Sequence, residues 1–457
     1  SSFMGHVRGE SRDQGALFPV SLDELIRADH LCRVIDAFVA RLDLGQLGFA
    51  KASPAATGRP PYDPADLLKL YVYGYLQQVR SSRRLEAECK RNVEVMWLLG
   101  RLVPDHKTIA EFRRTQGEAL RAACAAFVRF LREAGVVGGE WVAIDGSKFR
   151  AAASRKAVPA IASLERQVGE YLTMLEQSDA AEGAVAVPAP EVIQAALAQL
   201  EQARQVGPGR ALTEPEARLM QGTKGPAYNV QSAVDAKHGV IVAHAVTEEA
   251  TDNRSLQPMA EAAREALGVE TLKVVADAGY SSGEQIEALE QQRIEAYLPV
   301  NRSINNQGDG ELFDRRAFSY EPETDRYRCP AGEVLLRKQI HRRDRMVIYA
   351  TLPGTCPGCA LQLRCTGSER RYVTRHFEEQ ALQRVAARTT TAHMRLRRET
   401  AERPFAEIKW RIFGYPRFLL RGRHGAGTEL AIAVIAYNLK QALRALRPAG
   451  LIAALAS

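Results

Sequence analysis

This sequence has no apolar run long enough to cross a membrane. Its longest, Leu430–Tyr437, falls far short of the about 20 residues that a spanning helix needs. No charged, then apolar, then small-residue leader opens the chain, and Ser1-Ser2-Phe3-Met4 reads as an added stretch before a native Met4. Cysteine is sparse and odd in number, seven in 457 residues. Without an export signal this argues against a disulfide framework and for metal ligation or free thiols. No internal repeat is present. Acid is in deficit, with 54 Asp and Glu against 62 Lys and Arg, a net charge of +8 and a pI near 9.1. The expectation is a cytoplasmic, nucleoid-associated protein with no membrane partner and an anionic ligand.

Apolar residues make up 46% and charged residues 25%, and the length allows two to four domains, each with its own core. Three stretches carry the chemistry. Ala143-Ile144-Asp145-Gly146-Ser147 and Val274-Val275-Ala276-Asp277-Ala278-Gly279 are apolar runs that each end in a carboxylate. Arg398-Glu399-Thr400-Ala401-Glu402-Arg403-Pro404-Phe405 sets a carboxylate in an arginine field, with nine Lys or Arg against three Glu from Thr391 to Arg423. A carboxylate at a buried strand end is costly unless something pairs with it. Two such ends plus Glu402 would make an oxygen-ligand site for divalent cations acting on a phosphodiester. Taken singly, each acid also reads as a strand-end cap, a turn Asp or a surface helix Glu. On a helix, Arg398, Glu402 and Lys409 fall near one face, so the bases read either as phosphate clamps or as local pairs such as Arg395–Glu399 and Arg403–Glu407. Pro404 kinks that helix or lies in its first turn.

Residues 17–138 read as helical. Ser21–Glu24 forms a capping box, Asp63-Pro64 opens a helix, and further helices cover 82–90, 92–99, 107–115 and 118–134. Arg80, Arg83 and Arg84 at one helix boundary, and Lys107, Arg113 and Arg114 at another, suit helix-turn-helix docking on DNA or a solvated face. From Glu140 the texture becomes strand, hairpin (228–246 around Lys237-His238-Gly239), helix (253–267), strand (272–277), helix (282–292) and strand (296–300), a mixed α/β layer. A helical insertion at 151–225 is split at Ser178–Pro188, and helix returns from about Leu382. Asp252 reads as an extra acidic group or as a cap for the helix after it. In the insertion 303–375, Cys329, Cys356-Pro357-Gly358-Cys359 and Cys365 have the spacing of a structural zinc site. Cys32, Cys89 and Cys124 lie on helical patterns and read as core.

From Leu17 to Leu446 the chain resembles bacterial insertion-sequence transposases of the DDE type, family eleven-eighty-two. In the helical part the resemblance rests on Arg59-Pro60-Pro61-Tyr62-Asp63-Pro64, Arg80-Ser81-Ser82-Arg83-Arg84-Leu85-Glu86 and Pro104-Asp105-His106-Lys107-Thr108-Ile109. It implies a ribonuclease H-like α/β catalytic domain, to which the sequence pattern adds an all-α N-terminal DNA-binding domain, a helical insertion and a small zinc-knuckle insertion. The implied layout is 17–138 for DNA binding, 140–302 and 376–450 for the core, and 303–375 for zinc. Asp145, Asp277 and Glu402 are the implied catalytic acids, holding two Mg²⁺ (or Mn²⁺) ions. Arg398, Glu402 and Lys409 fit a Tyr, Arg, Glu, Lys signature in which Arg395 stands at the tyrosine position. The implied partner is double-stranded DNA, transposon ends and target, bound by a homodimer. The other readings are a domesticated metal-dependent nuclease and a DNA-binding regulator without catalysis.

Overall fold

The computed structural model describes residues 20–53, 60–180, 188–300 and 312–457. The expectations for Leu17, Arg59, most of the 178–188 break and residues 303–311 lie outside the described residues. The chain divides into two compact units, one formed by residues up to Val136 together with Glu407–Ser457, the other by Val137–Ala406. No described helix is long and apolar enough to cross a membrane.

The first unit is helical: α1 (Leu31–Ala40), α2 (Pro64–Leu76), α3 (Ser82–Arg91), α4 (Val93–Leu98), α5 (His106–Thr115), α6 (Gly117–Glu133) and a long C-terminal helical stretch, Gly422–Ala456, broken by a kink at Arg447 before Pro448. Its starts follow local cap chemistry. The Asp63 carboxylate accepts from Ala65 N at 2.8 Å with Pro64 next in line, and Asp105 accepts from Lys107 N at 2.9 Å and Thr108 N at 3.0 Å. The Ser21–Glu24 capping box is present, but it opens only the short 3₁₀ turn Leu22–Leu25. The C-terminal helix is buried at every residue from Thr428 to Leu439 and packs on α1, α2 and α6. A helix buried on all sides has to lie within other helices. This is why residues from Glu407 onward join the helical unit, where the sequence had suggested a catalytic core running on to residue 450.

The second unit is built around a seven-stranded main sheet. Its strands are β1 (Trp141–Arg150), β2 (Arg210–Ala211), β3 (Glu214–Leu219), β4 (Pro226–Asp235), β5 (Ile241–Thr247), β6 (Leu272–Val275) and β7 (Ile294–Tyr297). The order is β2-β3-β4-β1-β6-β7, with β5 also paired to β4. β1 runs antiparallel to β4 and parallel to β6, and β6 runs parallel to β7. Between β1 and β2 stands a helical hairpin, α7 (Ile161–Ala180) and α8 (Pro190–Val206), closed by Val168, Ala196 and Leu200. α9 (Leu256–Leu267) follows β5 and packs on it, and α10 (Gly283–Gln291) packs against α9 and β7.

The cysteine-bearing insertion is more than a knuckle. It forms a five-stranded antiparallel sheet of β8 (Ser319–Glu321), β9 (Arg326–Arg328), β10 (Val334–His341), β11 (Met346–Ala350) and β12 (Tyr372–His376). Its core is Phe318, Tyr327, Leu335, Tyr349, Cys365 and Val373. After it, α11 (Glu379–Arg388) and α12 (Thr391–Glu407) return to the main sheet, with Pro404 inside α12 and well past its first turn.

Candidate active site

The sheet register brings the first two carboxylates together. Trp141, Val142 and Ala143 of β1 pair in parallel with Lys273, Val274 and Val275 of β6. Two residues further along each strand path stand Asp145 and Asp277. Asp145 is still in β1, its Oδ1 accepting from Gly146 N at 2.9 Å. Asp277 has left β6 and caps the turn Ala278–Tyr280, its Oδ1 accepting from Gly279 N at 2.8 Å. The third comes from α12. Ala401 packs directly on Ala143 and Val275, a small side chain that lets the helix approach the sheet, and Phe405 meets Phe149 with ring centroids 6.3 Å apart. Glu402, next to Ala401, is thereby carried to the strand ends.

Between the three carboxylates stands Arg397. Its Nη2 donates to Asp145 Oδ1 at 2.8 Å and to Asp277 Oδ2 at 3.3 Å, and its Nη1 to Glu402 Oε1 at 3.5 Å. Asp145 and Arg397 are mostly buried, with 13% and 15% of their side chains exposed, while Glu402 is 61% exposed. Burial pushes the Asp145 carboxyl up to about 6, with Asp277 adding to the rise and Arg397 and the Gly146 N–H pulling it down. Nothing in the sequence singles out Arg397. It lies five residues before Glu402, outside the usual i,i+4 pairing, and looks no different in sequence from Arg395 and Arg398.

A fourth carboxylate borders the site. Asp252 Oδ1 accepts from Asn229 Nδ2 and Gln231 Nε2, each at 2.7 Å, and Gln231 accepts from the buried Tyr280 hydroxyl. The cap position of α9 is Ser255, so Asp252 serves the strands and not the helix start. Gly146 is required here, because a Cβ on it would run into Gln231 Nε2 and Asp252 Oδ1.

The basic residues sort into groups. Arg395 and Arg398 are exposed on α12 and make no ion pair among the described residues. Arg398 lines a cleft of about 790 Å³ together with Asp277, Arg315, Arg316 and Arg397. Glu407 is paired with Lys440 at 2.6 Å and Arg444 at 3.2 Å, so the expected Arg403–Glu407 pair does not form. Lys409 falls in the π-helical turn Ile408–Ile412, where counting by 3.6 residues no longer fixes a shared face with Glu402.

In the helical unit Arg80 and Arg113 are buried, which corrects their reading as DNA contacts. Arg80 Nη1 lies 3.3 Å from the fully buried Glu429 and stacks 4.0 Å over the Phe413 ring, and Arg113 donates to Arg80 O at 2.9 Å. A phosphate cannot reach either. Arg114 is paired with Glu111, whereas Arg83, Arg84 and Lys107 are exposed.

Cys329, Cys356, Cys359 and Cys365 line one pocket of about 20 Å³. Among the described residues, only His30, Cys32 and Glu94 bring three ligand atoms within 4.8 Å of one another, so neither the four thiols nor the acidic triad is drawn that tightly. The His30 group is accounted for by its own contacts: Nδ1 accepts from Cys32 N at 3.2 Å and Nε2 faces Glu94 at 3.4 Å.

Residues 20–115 match the family described as a transposase domain (DUF772), and residues 220–439 match the family described as the transposase DDE domain. No curated protein matches. Among solved structures, a piggyBac transposase synaptic complex with hairpin DNA, seen by cryo-electron microscopy, aligns over 93% of this chain and 78% of its own at 8% identity. Its TM-score of 0.33 is too low to establish a common fold.

Proposed function

We propose, for a chain that belongs to the DDE transposases, that Asp145, Asp277 and Glu402 are its catalytic carboxylates and that the α/β layer bearing them is a ribonuclease H-like core. The observation that carries the assignment is the convergence of all three on the single guanidinium of Arg397. Enzymes of this family use divalent metal ions. The donor set fits, since hard carboxylate oxygens from two strand ends and a helix already surround one cationic group. Asp145, Asp277 and Glu402 would hold Mg²⁺ (or Mn²⁺), which when bound polarises the phosphoryl oxygen and lowers the pKa of water.

The chain's own residues supply the rest. Asp145 is fixed by β1 and by the Gly146 N–H, so its carboxylate does not wander. Asp252, held by Asn229 and Gln231, adds negative charge beside that fixed position. Arg398 and Arg395 on the exposed side of α12 neutralise DNA phosphates and set the backbone against the acids. Arg83, Arg84 and Lys107 of the helical unit serve transposon-end binding. In the first chemical step a water oxygen attacks phosphorus and the 3′-oxygen leaves. In the second that 3′-hydroxyl attacks a target phosphodiester, the target strand's own 3′-oxygen leaves and takes up the proton, and no covalent enzyme intermediate is needed. A homodimer on paired ends is the working assembly. Cys329, Cys356, Cys359 and Cys365 would hold a structural zinc.

The test is a cleavage and joining assay on a labelled transposon end, with and without Mg²⁺. Metal-dependent cutting followed by joining is the expected result. Cutting without joining would mark a nuclease, and binding without cutting a regulator.

A further inference from the structure

We infer that Arg397 is a resident counter-ion of the catalytic carboxylates, which competes with the divalent cation for them. The inference rests on the reading of Asp145, Asp277 and Glu402 as the metal-binding set.

Three observations carry it. One nitrogen, Nη2, is shared by Asp145 at 2.8 Å and Asp277 at 3.3 Å, and Nη1 of the same group faces Glu402 at 3.5 Å. A cation liganded by these oxygens at about 2.0–2.6 Å would need the space the guanidinium fills, so the two exclude each other. Second, among the described residues the three carboxylates are the only hydrogen-bond partners of that guanidinium, so nothing else in the fold fixes it there. Third, there is somewhere for it to go. Arg397 also lines the cleft shared with Asp277 and Arg398, where a DNA phosphate would receive it.

The role follows from charge. Three carboxylates at one point repel, and a single guanidinium offsets that repulsion in part. A divalent cation brings more charge but must displace Arg397 first, so the arginine lowers the apparent metal affinity of the protein without DNA. A phosphate in the cleft would reward the displaced guanidinium and so favour metal binding when substrate is present. Arg397 is in this sense a positioning residue, not a catalytic one.

The experiment is a Mn²⁺ titration of the full chain without DNA, with free ion followed by electron paramagnetic resonance, alongside thermal unfolding in chelator. Arg397→Gln should bind Mn²⁺ at least about tenfold more tightly than the parent, the equivalent of about 1.4 kcal/mol. The same variant should unfold at lower temperature in chelator and recover with Mn²⁺. A merely structural arginine predicts weaker metal binding along with lower stability. Equal or weaker Mn²⁺ binding by Arg397→Gln overturns the inference. If that variant does not fold, Arg397→Lys keeps the charge but cannot span three carboxylates. It should bind more tightly than the parent, and affinity no better than the parent's counts against the idea in the same way. Asp145→Asn separates the two levels of the argument. If it leaves Mn²⁺ binding intact, the metal-site assignment itself fails. If it removes binding while Arg397→Gln fails to tighten it, only the competition fails.

Discussion

Ala143 of β1 and Val275 of β6 are direct partners in a parallel register, and two residues beyond each comes an aspartate, Asp145 and Asp277. Ala401 of α12 packs on the same pair and puts Glu402 beside them. Three distant pieces of sequence thus meet through one small apolar contact. The site depends on register and on the size of three side chains more than on any loop.

Asp145→Asn should abolish strand cleavage while leaving DNA binding intact. The change keeps the shape but removes one ligand charge. Loss of residues that merely orient metal ligands already costs about 10–100-fold, so loss of a ligand should exceed that. Binding could tighten, because a negative charge leaves a DNA-facing site. Normal Mg²⁺-dependent cutting by the purified variant would refute the assignment.

The same carboxylate makes a pH prediction. Asp145 is raised from 3.8 to about 6 by burial. Between those values the folded chain keeps a proton that the unfolded chain has released. Stability from this group therefore falls as pH rises from about 4 to about 6 and is level above. Asp145→Asn removes that slope, so relative to the parent it should be more stable at pH 7 than at pH 4. Urea unfolding across pH in chelator measures this, and parallel pH profiles for the two proteins would contradict it.

What could be read in advance follows from how local the cause is. Asp63-Pro64 and Asp105 mark helix starts in sequence because a cap bonds to residues two or three away. β1, β4, β5 and β6 announce themselves as apolar, β-branched runs. β8–β12 did not, because Arg326-Tyr327-Arg328 and their like hide one inward residue among arginines. Arg80 is not legible in sequence because a cation beside a helix end looks the same whether it faces DNA or Glu429, 349 positions away. Arg397 was invisible for a related reason. Its partners are set by the docking of α12 on the sheet, not by its neighbours in the chain.

Glu429 offers a check on the buried ion pair. Its side chain is fully buried and meets Arg80 Nη1 at 3.3 Å, and it accepts from Leu419 N and Leu420 N, each at 2.6 Å. Glu429→Ala should cost about 3–5 kcal/mol, since it leaves a buried guanidinium without its counter-charge and two amides without that acceptor. Arg83→Ala, on the exposed face of α3, should stay within about 0.5 kcal/mol. Urea titrations of both variants give the comparison, and equal losses would show that the buried pair is not special.

The cysteine pocket predicts about one zinc ion per freshly purified chain by elemental analysis, held by four thiolates. Cys356→Ser and Cys359→Ser should each lower the zinc content and loosen the β8–β12 sheet, because Cys365 is part of that sheet's core. Protein free of zinc yet unchanged in hydrogen exchange over Tyr327 and Tyr349 would argue that the cysteines are simply free thiols.

The last expectation concerns Arg398. It is exposed on α12, makes no ion pair among the described residues, and lines the cleft that also contains Asp277 and Arg316. An arginine without an acidic partner of its own gains most from an anion. Phosphate contacts release counterions and are blind to base sequence. Arg398→Ala should therefore weaken binding to transposon ends and to unrelated DNA alike, and make the salt dependence shallower by about one unit. Arg395→Ala should act in the same direction. A solvated face with no ligand makes a different forecast: affinity and salt slope stay fixed, and stability changes by no more than about 0.5 kcal/mol. Titrations over a range of salt, on matched specific and unrelated duplexes, distinguish the two. An unchanged slope for Arg398→Ala would rule out the phosphate clamp, and a loss confined to transposon ends would point to base readout instead.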